Sequence, residues 1–382
     1  MIVHRGRRTA WLILFALSAA CSGDDDPINT HDAGTESDAD AAAGPTPTRK
    51  LDGLLSASGT HACAIRHAGL YCWGANFRGQ LADQTTEDAI TPIAATGAGD
   101  DVVEVATNTG RTCIRRSTGE VACWGANESG QIGDGTRDDS LTAVRANGID
   151  DAFQIAVGSL STCALRGTKG TVECWGESPD TSPESGNLIP QPISGLSDVV
   201  ELRTGSVSAY CARGKPGWVR CFRFNPTTGT WPEPREADAL RDARAIAMPS
   251  EREVCGITEA RNIVCTDFED GFTVILPSSE NSVDISSLGS LSLSSRNSDG
   301  VTLMWNVPSI IWSEMGQPDV VGNFAVEITS DIPLIHTVIG GFQFCGLRED
   351  RSIVCIDGGM ATAGLLETRR FEITTVVDGL PD

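Results

Sequence analysis

Cys113-Ile114-Arg115-Arg116-Ser117-Thr118-Gly119-Glu120-Val121-Ala122-Cys123-Trp124-Gly125 reads as two short strands joined by a glycine turn, with cysteines where the first begins and the second ends. Short apolar runs bounded by Gly and Ser are hairpin signals. The same module recurs around Cys63 and Cys72, Cys163 and Cys174, Cys211 and Cys221, Cys255 and Cys265, and Cys345 and Cys355, with eight to ten residues inside each pair. The leading cysteines are 50, 50, 48, 44 and 90 residues apart, and the last step is nearly double. A fixed period of roughly 20–50 residues marks a repeat array. The unit without a pair lies at Ser294 to Met304, where Gly300 takes the place of Gly119 and Trp305 follows as Trp124 follows Cys123. Residues 51–382 thus divide into seven units of about 47 residues.

Each unit adds a β-branched strand before its hairpin, such as Val102-Val103-Glu104-Val105-Ala106 or Val199-Val200-Glu201-Leu202. No segment after residue 50 carries a sustained helical period, so the body is expected to be all-β. Cysteines flanking a tight hairpin sit opposite each other on antiparallel strands, roughly 4.5–5.5 Å apart at Cα, within disulfide reach. The competing zinc reading wants C-x2-C knuckles, and the chain has none. Six intra-hairpin disulfides are therefore expected: Cys63 with Cys72, Cys113 with Cys123, Cys163 with Cys174, Cys211 with Cys221, Cys255 with Cys265 and Cys345 with Cys355. Each would contribute about 2.5 kcal/mol on the chain-entropy model. Four-stranded units repeated seven times can bury their apolar faces by stacking radially, as a seven-bladed β-propeller. The terminal Val377-Asp378-Gly379-Leu380-Pro381-Asp382 matches the end of unit three, and Leu54-Leu55-Ser56-Ala57 reads as its continuation. The ring is expected to close by pairing of these N- and C-terminal segments.

Gly59-Thr60-His61-Ala62-Cys63-Ala64-Ile65, with Cys72-Trp73-Gly74-Ala75-Asn76-Phe77-Arg78-Gly79-Gln80-Leu81, resembles the repeat of the regulator of chromosome condensation propellers. Cys123-Trp124-Gly125-Ala126-Asn127-Glu128-Ser129-Gly130-Gln131-Ile132-Gly133-Asp134-Gly135-Thr136 is a second copy. The likeness is partial in unit three (Cys174-Trp175-Gly176) and weak from Cys221-Phe222 onward, including Cys265-Thr266 and Cys355-Ile356-Asp357-Gly358. The resemblance implies a seven-bladed propeller, and the cysteine pairs look like those of exported bacterial members.

Residues 1–21 combine Arg5, Arg7 and Arg8, an apolar run from Ala10 to Leu17, and small residues before the unpaired Cys21. The run is too short to span a bilayer and reads as a lipoprotein-type signal peptide, with Cys21 as the lipidated residue. Ser18 and Ala20 would also suit ordinary signal peptidase, the less favoured alternative, which would leave the protein periplasmic or secreted. Residues 22–50 are rich in Asp, Ala, Thr and Pro and cannot offset the entropy of ordering, so they are expected to be a disordered spacer. The chain carries a formal charge of -22, of which -20 falls on residues 51–382. That disfavours nucleic acid, whose affinity rests on phosphate neutralisation, and suits a soluble, monomeric, exported body in a bacterial cell envelope.

Candidate chemistry is sparse. His61 occupies the turn before the first cysteine, where the family it resembles commonly has His, and the resemblance implies structural hydrogen bonds. His67 sits beside a hairpin turn and is expected to be solvated, and His336 lies in an apolar strand context. No H-E-x-x-H, G-x-S-x-G or phosphate loop is present. Trp73, Trp124, Trp175 and Trp305 recur with the units, which points to inter-blade packing. Ser298-Asp299-Gly300 with Thr302 and Trp305 is faintly like a sialidase aspartate box, but its spacing is that of a blade hairpin. Asp134-Gly135-Thr136-Arg137-Asp138-Asp139 lacks the alternating ligands of a calcium loop and reads as a solvated turn. The expectation is a membrane-anchored, non-catalytic scaffold with neither cofactor nor metal. It would bind a protein or glycan through the loops of units three to seven; the alternative is an inhibitor or regulator of a secreted enzyme. Exchange-factor activity, suggested by the family name, is disfavoured by the export signal, and a sialidase-like hydrolase is a distant possibility.

Overall fold

The computed structural model describes residues 54–66, 69–176, 187–205, 208–225, 228–276, 279–287, 292–306, 326–330, 334–340, 343–348, 352–357 and 370–373. The leader with Cys21, the spacer 22–50, His67 and the unit-three loop 177–186 lie outside them.

Blade one is an antiparallel meander of β1 (Leu55–Ala57), β2 (His61–Arg66), β3 (Gly69–Gly74) and β4 (Ala89–Ala94). Blade two repeats it as β5 (Val102–Asn108), β6 (Arg111–Arg116), β7 (Val121–Gly125) and β8 (Ser140–Arg145). Blade three is β9 (Ala152–Val157), β10 (Ser161–Arg166), β11 (Thr171–Gly176) and β12 (Gln191–Pro192). Blade four is β13 (Val199–Thr204), β14 (Ala209–Gly214), β15 (Trp218–Arg223) and β16 (Arg235–Glu236). Blade five is β17 (Ala245–Ala247), β18 (Glu253–Ile257), β19 (Ile263–Asp267) and β20 (Thr273–Ile275). Blade six is β21 (Ser282–Ser286), β22 (Ser292–Asn297), β23 (Thr302–Asn306) and β24 (Val326–Ser330), extended by β28 (Arg370–Ile373). A last sheet holds β25 (Leu334–Gly340), β26 (Gln343–Arg348) and β27 (Ile353–Asp357).

The hairpin module stands where its sequence places it. In blades one to four Cys63 is bonded to Cys72, Cys113 to Cys123, Cys163 to Cys174 and Cys211 to Cys221. In blade five Cys255 is bonded to Cys265, and in the last sheet Cys345 is bonded to Cys355. Each pair lies directly opposite in register. Their Cα separations are 3.9–4.1 Å. In blade six Ser294 faces Met304 in the corresponding place, which identifies the unit that lacks its cysteines. Central strands are buried on both faces, as in the continuous buried run of β18, whereas the outer β4 is largely exposed.

The core is distributed through the seams between blades. Leu70 and Leu81 of blade one meet Val105, Ile114 and Trp124 of blade two. Val121 and Ile132 of blade two meet Ile155 and Trp175 of blade three. The first strands pack on one another in succession from β1 to β25, and β25 returns to β1.

One expectation is corrected. Among the described residues six blades of at least four strands are present where seven are expected, since β25–β27 forms a three-stranded sheet. The segment expected to close the ring, Val377 to Asp382, lies outside the described residues. β1 pairs antiparallel with β2, Ser56 opposite Cys63, across a local turn. β28 lies parallel to β24 and occupies an edge that would otherwise expose unpaired backbone groups. Blade one meets the last sheet through side chains, with Leu55, Ala57, Ala64 and Trp73 against Cys345, Leu347 and Ile353, and with Cys355 packed beside them.

Candidate functional site

An antiparallel meander brings the turn after each first strand and the loop after each third strand to the same end of its blade. At this end the Cys-Trp-Gly glycines let the backbone close on the preceding turn. Gly125 has φ +95°, and a Cβ there would collide with the Gly110 carbonyl oxygen. Ala126 N–H donates to that carbonyl at 2.9 Å.

The polar residues of this end chiefly fasten one blade to the next. His61 is fully buried, and its Nε2 lies 2.8 Å from Thr112 Oγ1. Thr112 donates its only hydroxyl proton to the Gln80 carbonyl, so His61 carries its proton on Nε2. Its Nδ1 faces the hydroxyls of Ser58 and Thr60 at 3.1 and 3.2 Å. Burial lowers the imidazole pKa to about 3. The expected structural role of His61 is what the geometry supports.

In blade two the same position is Arg111, also fully buried, whose Nη2 donates to the carbonyls of Gly158 and Ser161 at 2.5 and 2.9 Å. Burial lowers its pKa to about 10. In blade three it is Ser161, whose Oγ lies 2.8 Å from the Tyr210 hydroxyl of blade four. The Gly-Gln turns complete these seams. The Gln80 carbonyl also accepts from Trp124 Nε1, and Gln131 serves Thr162 and Trp175 in the same way. Trp124 and Trp175 are fully buried, so these rings pack between blades and offer no stacking platform. Trp73 is likewise buried.

A second set of links runs through the first strands. Ser56 Oγ accepts from Thr107 N–H, Glu104 from Ile155 N–H, and Gln154 from Leu202 N–H while donating to the Leu202 carbonyl. Burial raises the Glu104 pKa against the opposing pull of Arg115, 2.7 Å away.

The acidic loops are internally engaged. Asn127 Nδ2 donates to the Thr136 and Asp138 carbonyls, and its N–H donates to Asp139. Asp134 accepts from the Thr136 N–H and hydroxyl. Among the described residues no group of three or more His, Cys, Asp or Glu could hold a metal ion. Ser298-Asp299-Gly300 is the β22–β23 turn, closed by Asn297 Oδ1 on the Asp299 and Val301 N–H groups. His336 lies in β25 opposite Leu347.

Two exposed apolar side chains stand over this end. Phe77 is 55% exposed and lies over the Gly110 turn of blade two, while Arg78 beside it pairs with Glu128 and Asp139. Leu160, 42% exposed, projects from the blade-three turn whose Gly158 and Ser159 carbonyls face Arg111. Recognition was expected on the loops of units three to seven, which take in Leu160 of the unit-three turn; Phe77 of unit one falls outside them. Phe77 lies inside a turn whose neighbours Asn76 and Gln80 are structural. Its one signal is an aromatic where the second copy has Glu128.

A family model described as the regulator of chromosome condensation (RCC1) repeat matches residues 102–131. The chain is 29% identical to the ultraviolet-B receptor UVR8 of Arabidopsis thaliana over 156 residues, 38% of this chain and 35% of that one. The chain thus spans about a third of that relative's length. Yeast RCC1 (Prp20), solved bound to Kap60, superposes with a TM-score of 0.58 at 17% identity, covering 75% of this chain and 78% of the other. Prp20p of Saccharomyces cerevisiae, solved in a study of its binding to Gsp1p and histones, gives 0.58 at 16% identity over 82% and 85%. Human WBSCR16 gives 0.61 at 14% identity over 77% and 86%. At these identities the superpositions establish the fold alone.

Proposed function

The chain belongs to the RCC1-type repeat β-propellers, and from that premise we propose that it is a non-catalytic binding scaffold. Its partner, a protein or a glycan, is received on the end that carries Phe77 and Leu160. The observation that carries this reading is the division of labour on that end. Buried polar groups hold the seams, and exposed apolar side chains stand over them. The yeast relative is solved with a bound protein, Kap60, and UVR8 is a receptor, so a binding role is consistent with the family. We read β25–β27 as the seventh blade of the ring. We further propose that the six disulfides form in an oxidising compartment, that the protein is exported to a bacterial cell envelope, and that a lipid on Cys21 tethers it through the spacer. Among the described residues no helix is long and apolar enough to cross a membrane.

Two experiments test this reading. The full chain and its Phe77→Ser/Leu160→Ser variant are used to capture partners from the producing cell. The scaffold reading expects a partner retained by the first and lost by the second, at unchanged melting temperature. Equal retention would remove this end from the binding surface, and inhibition of a captured enzyme would favour the regulator role. Labelled fatty acid should enter the unsubstituted chain and not Cys21→Ala. Incorporation into both or neither would end the anchor proposal.

A further inference from the structure

The seam that follows blade five differs from those that follow blades one to three. Two residues before the first cysteine, where blade one has His61 and blade two Arg111, blade five has Glu253, only 4% exposed. Its Oε2 is buried without a hydrogen-bond partner. The one hydroxyl that serves the carboxyl, Ser250, comes from its own turn, where it also accepts from Glu253 N–H. Directly opposite in the ladder is Asp267, another carboxylate. Like charges facing each other across an antiparallel pair are destabilising.

Among the described residues the charged surroundings supply no cation dedicated to Glu253. On β19 Asp267 pairs with Arg252 at 2.9 Å. Arg252 is divided among Asp267, Glu269 and Asp270, and Glu269 takes Arg223 from blade four as well. β17 carries no charged residue, and Asp284 is the only one on β21. The 3-10 turn packed on β18 contributes Asp238, which pairs with Arg241. β18 also packs on β21, and the seam core of Ile257, Ile263, Ile285 and Leu293 is apolar. A buried carboxylate with an unmet oxygen is costly, and proton uptake removes that cost.

We propose that Glu253 makes the joint between blades five and six a proton-controlled one: protonated and closed in mildly acidic surroundings, ionised against Asp267 and loosened above neutrality. Burial, reinforced by Asp267, raises the carboxyl pKa to about 7 from an ordinary 4.5. The sign follows from linkage. The folded state holds the proton over a window in which the opened state has lost it. The joint is therefore tightest below about pH 4.5 and loses that stability as pH rises to about 7. Across the window its opening constant should rise by up to about tenfold per pH unit.

The test compares thermal unfolding of the disulfide-bonded chain and Glu253→Gln at pH 5 and pH 8. Gln retains the shape and cannot ionise. The expected result is similar melting at pH 5 and a melting point several degrees higher for Glu253→Gln at pH 8. Parallel profiles for the two proteins would overturn the proposal. Should Glu253→Gln not fold, glutamate labelled with 13C at Cδ in the unsubstituted chain gives an independent reading. A carboxyl titrating near pH 7, and at lower pH in Asp267→Asn, supports the joint. The absence of any glutamate titrating above pH 6 refutes it.

Discussion

Blades one to three and blades five and six are built on one plan, yet their seams answer to opposite chemistry. In the first region His61 reaches Thr112, Arg111 reaches two carbonyls of blade three, and Ser161 meets Tyr210. Each of these three side chains has a partner in the next blade, although Arg111 Nε and Gln80 Nε2 are also buried without one. In the second region Glu253 keeps one oxygen unmet, and blade six lacks the disulfide present in blades one to five. The difference teaches that the repeat demands burial at this position, whereas hydrogen bonding decides whether the buried group fastens the ring or leaves it sensitive to protons.

The largest expected effect is on the well-fastened side. Trp124→Ala removes a fully buried ring and one donor to the Gln80 carbonyl. It should cost about 3–5 kcal/mol, read by urea unfolding. A loss near that of an exposed residue would show that the tryptophans do not hold the seams.

Arg111→Met keeps most of the length but takes the guanidinium donor from the carbonyls of Gly158 and Ser161, the second of which keeps the Gly158 N–H. The cost should be about 1–3 kcal/mol, measured the same way, and an effect near zero would mean that water replaces the guanidinium freely.

The third prediction tests the opposition directly. His61 is held neutral, with its pKa lowered to about 3. The unfolded chain takes up that proton below its ordinary value of about 6.5. The stability contributed is complete above about pH 6.5 and falls as pH drops toward 3, by up to about 1.4 kcal/mol per unit. In His61→Gln that acid dependence should be absent from the pH profile of unfolding. Its persistence would move the acid sensitivity elsewhere.

The smallest effect concerns the missing bridge. Ser294→Cys with Met304→Cys places two cysteines opposite each other in register, as Cys255 and Cys265 stand in blade five. Oxidation should raise stability by up to about 2.5 kcal/mol, and gel mobility with and without reductant shows whether the bond forms.

Much of this plan was legible in the chain. The cysteine pairs define local hairpins, so spacing alone reaches the partners the structure bonds, from Cys63 with Cys72 to Cys345 with Cys355. The gap between Cys265 and Cys345 locates the unit at Ser294 and Met304. The packing of Trp73, Trp124 and Trp175 was readable from repetition, and the structural use of His61 from the resemblance of its turn to the family repeat. Seam contacts were not, because they join residues one repeat apart: 51 between His61 and Thr112, 50 between Arg111 and Ser161. Nothing within one unit shows that Arg111 replaces His61, or that Glu253 stands there with an unmet oxygen. The pairing of β1 with β2 and of β28 with β24 was missed for a related reason. Internal similarity of segments indicates shape, and the choice of partner is made by turn length and by which edge is open. Phe77 was hidden because its neighbours are structural.

Blade-resolved hydrogen exchange on the unsubstituted protein, followed from pH 4 to pH 8 and corrected for intrinsic rates, tests the opposition most directly. The account predicts that amides of β2 and β6 gain protection as pH rises toward about 6.5, through His61's window, while amides of β18 and β21 lose it between about pH 4.5 and 7, through Glu253's. Protection that changes in the same direction at both seams, or at neither, would contradict it.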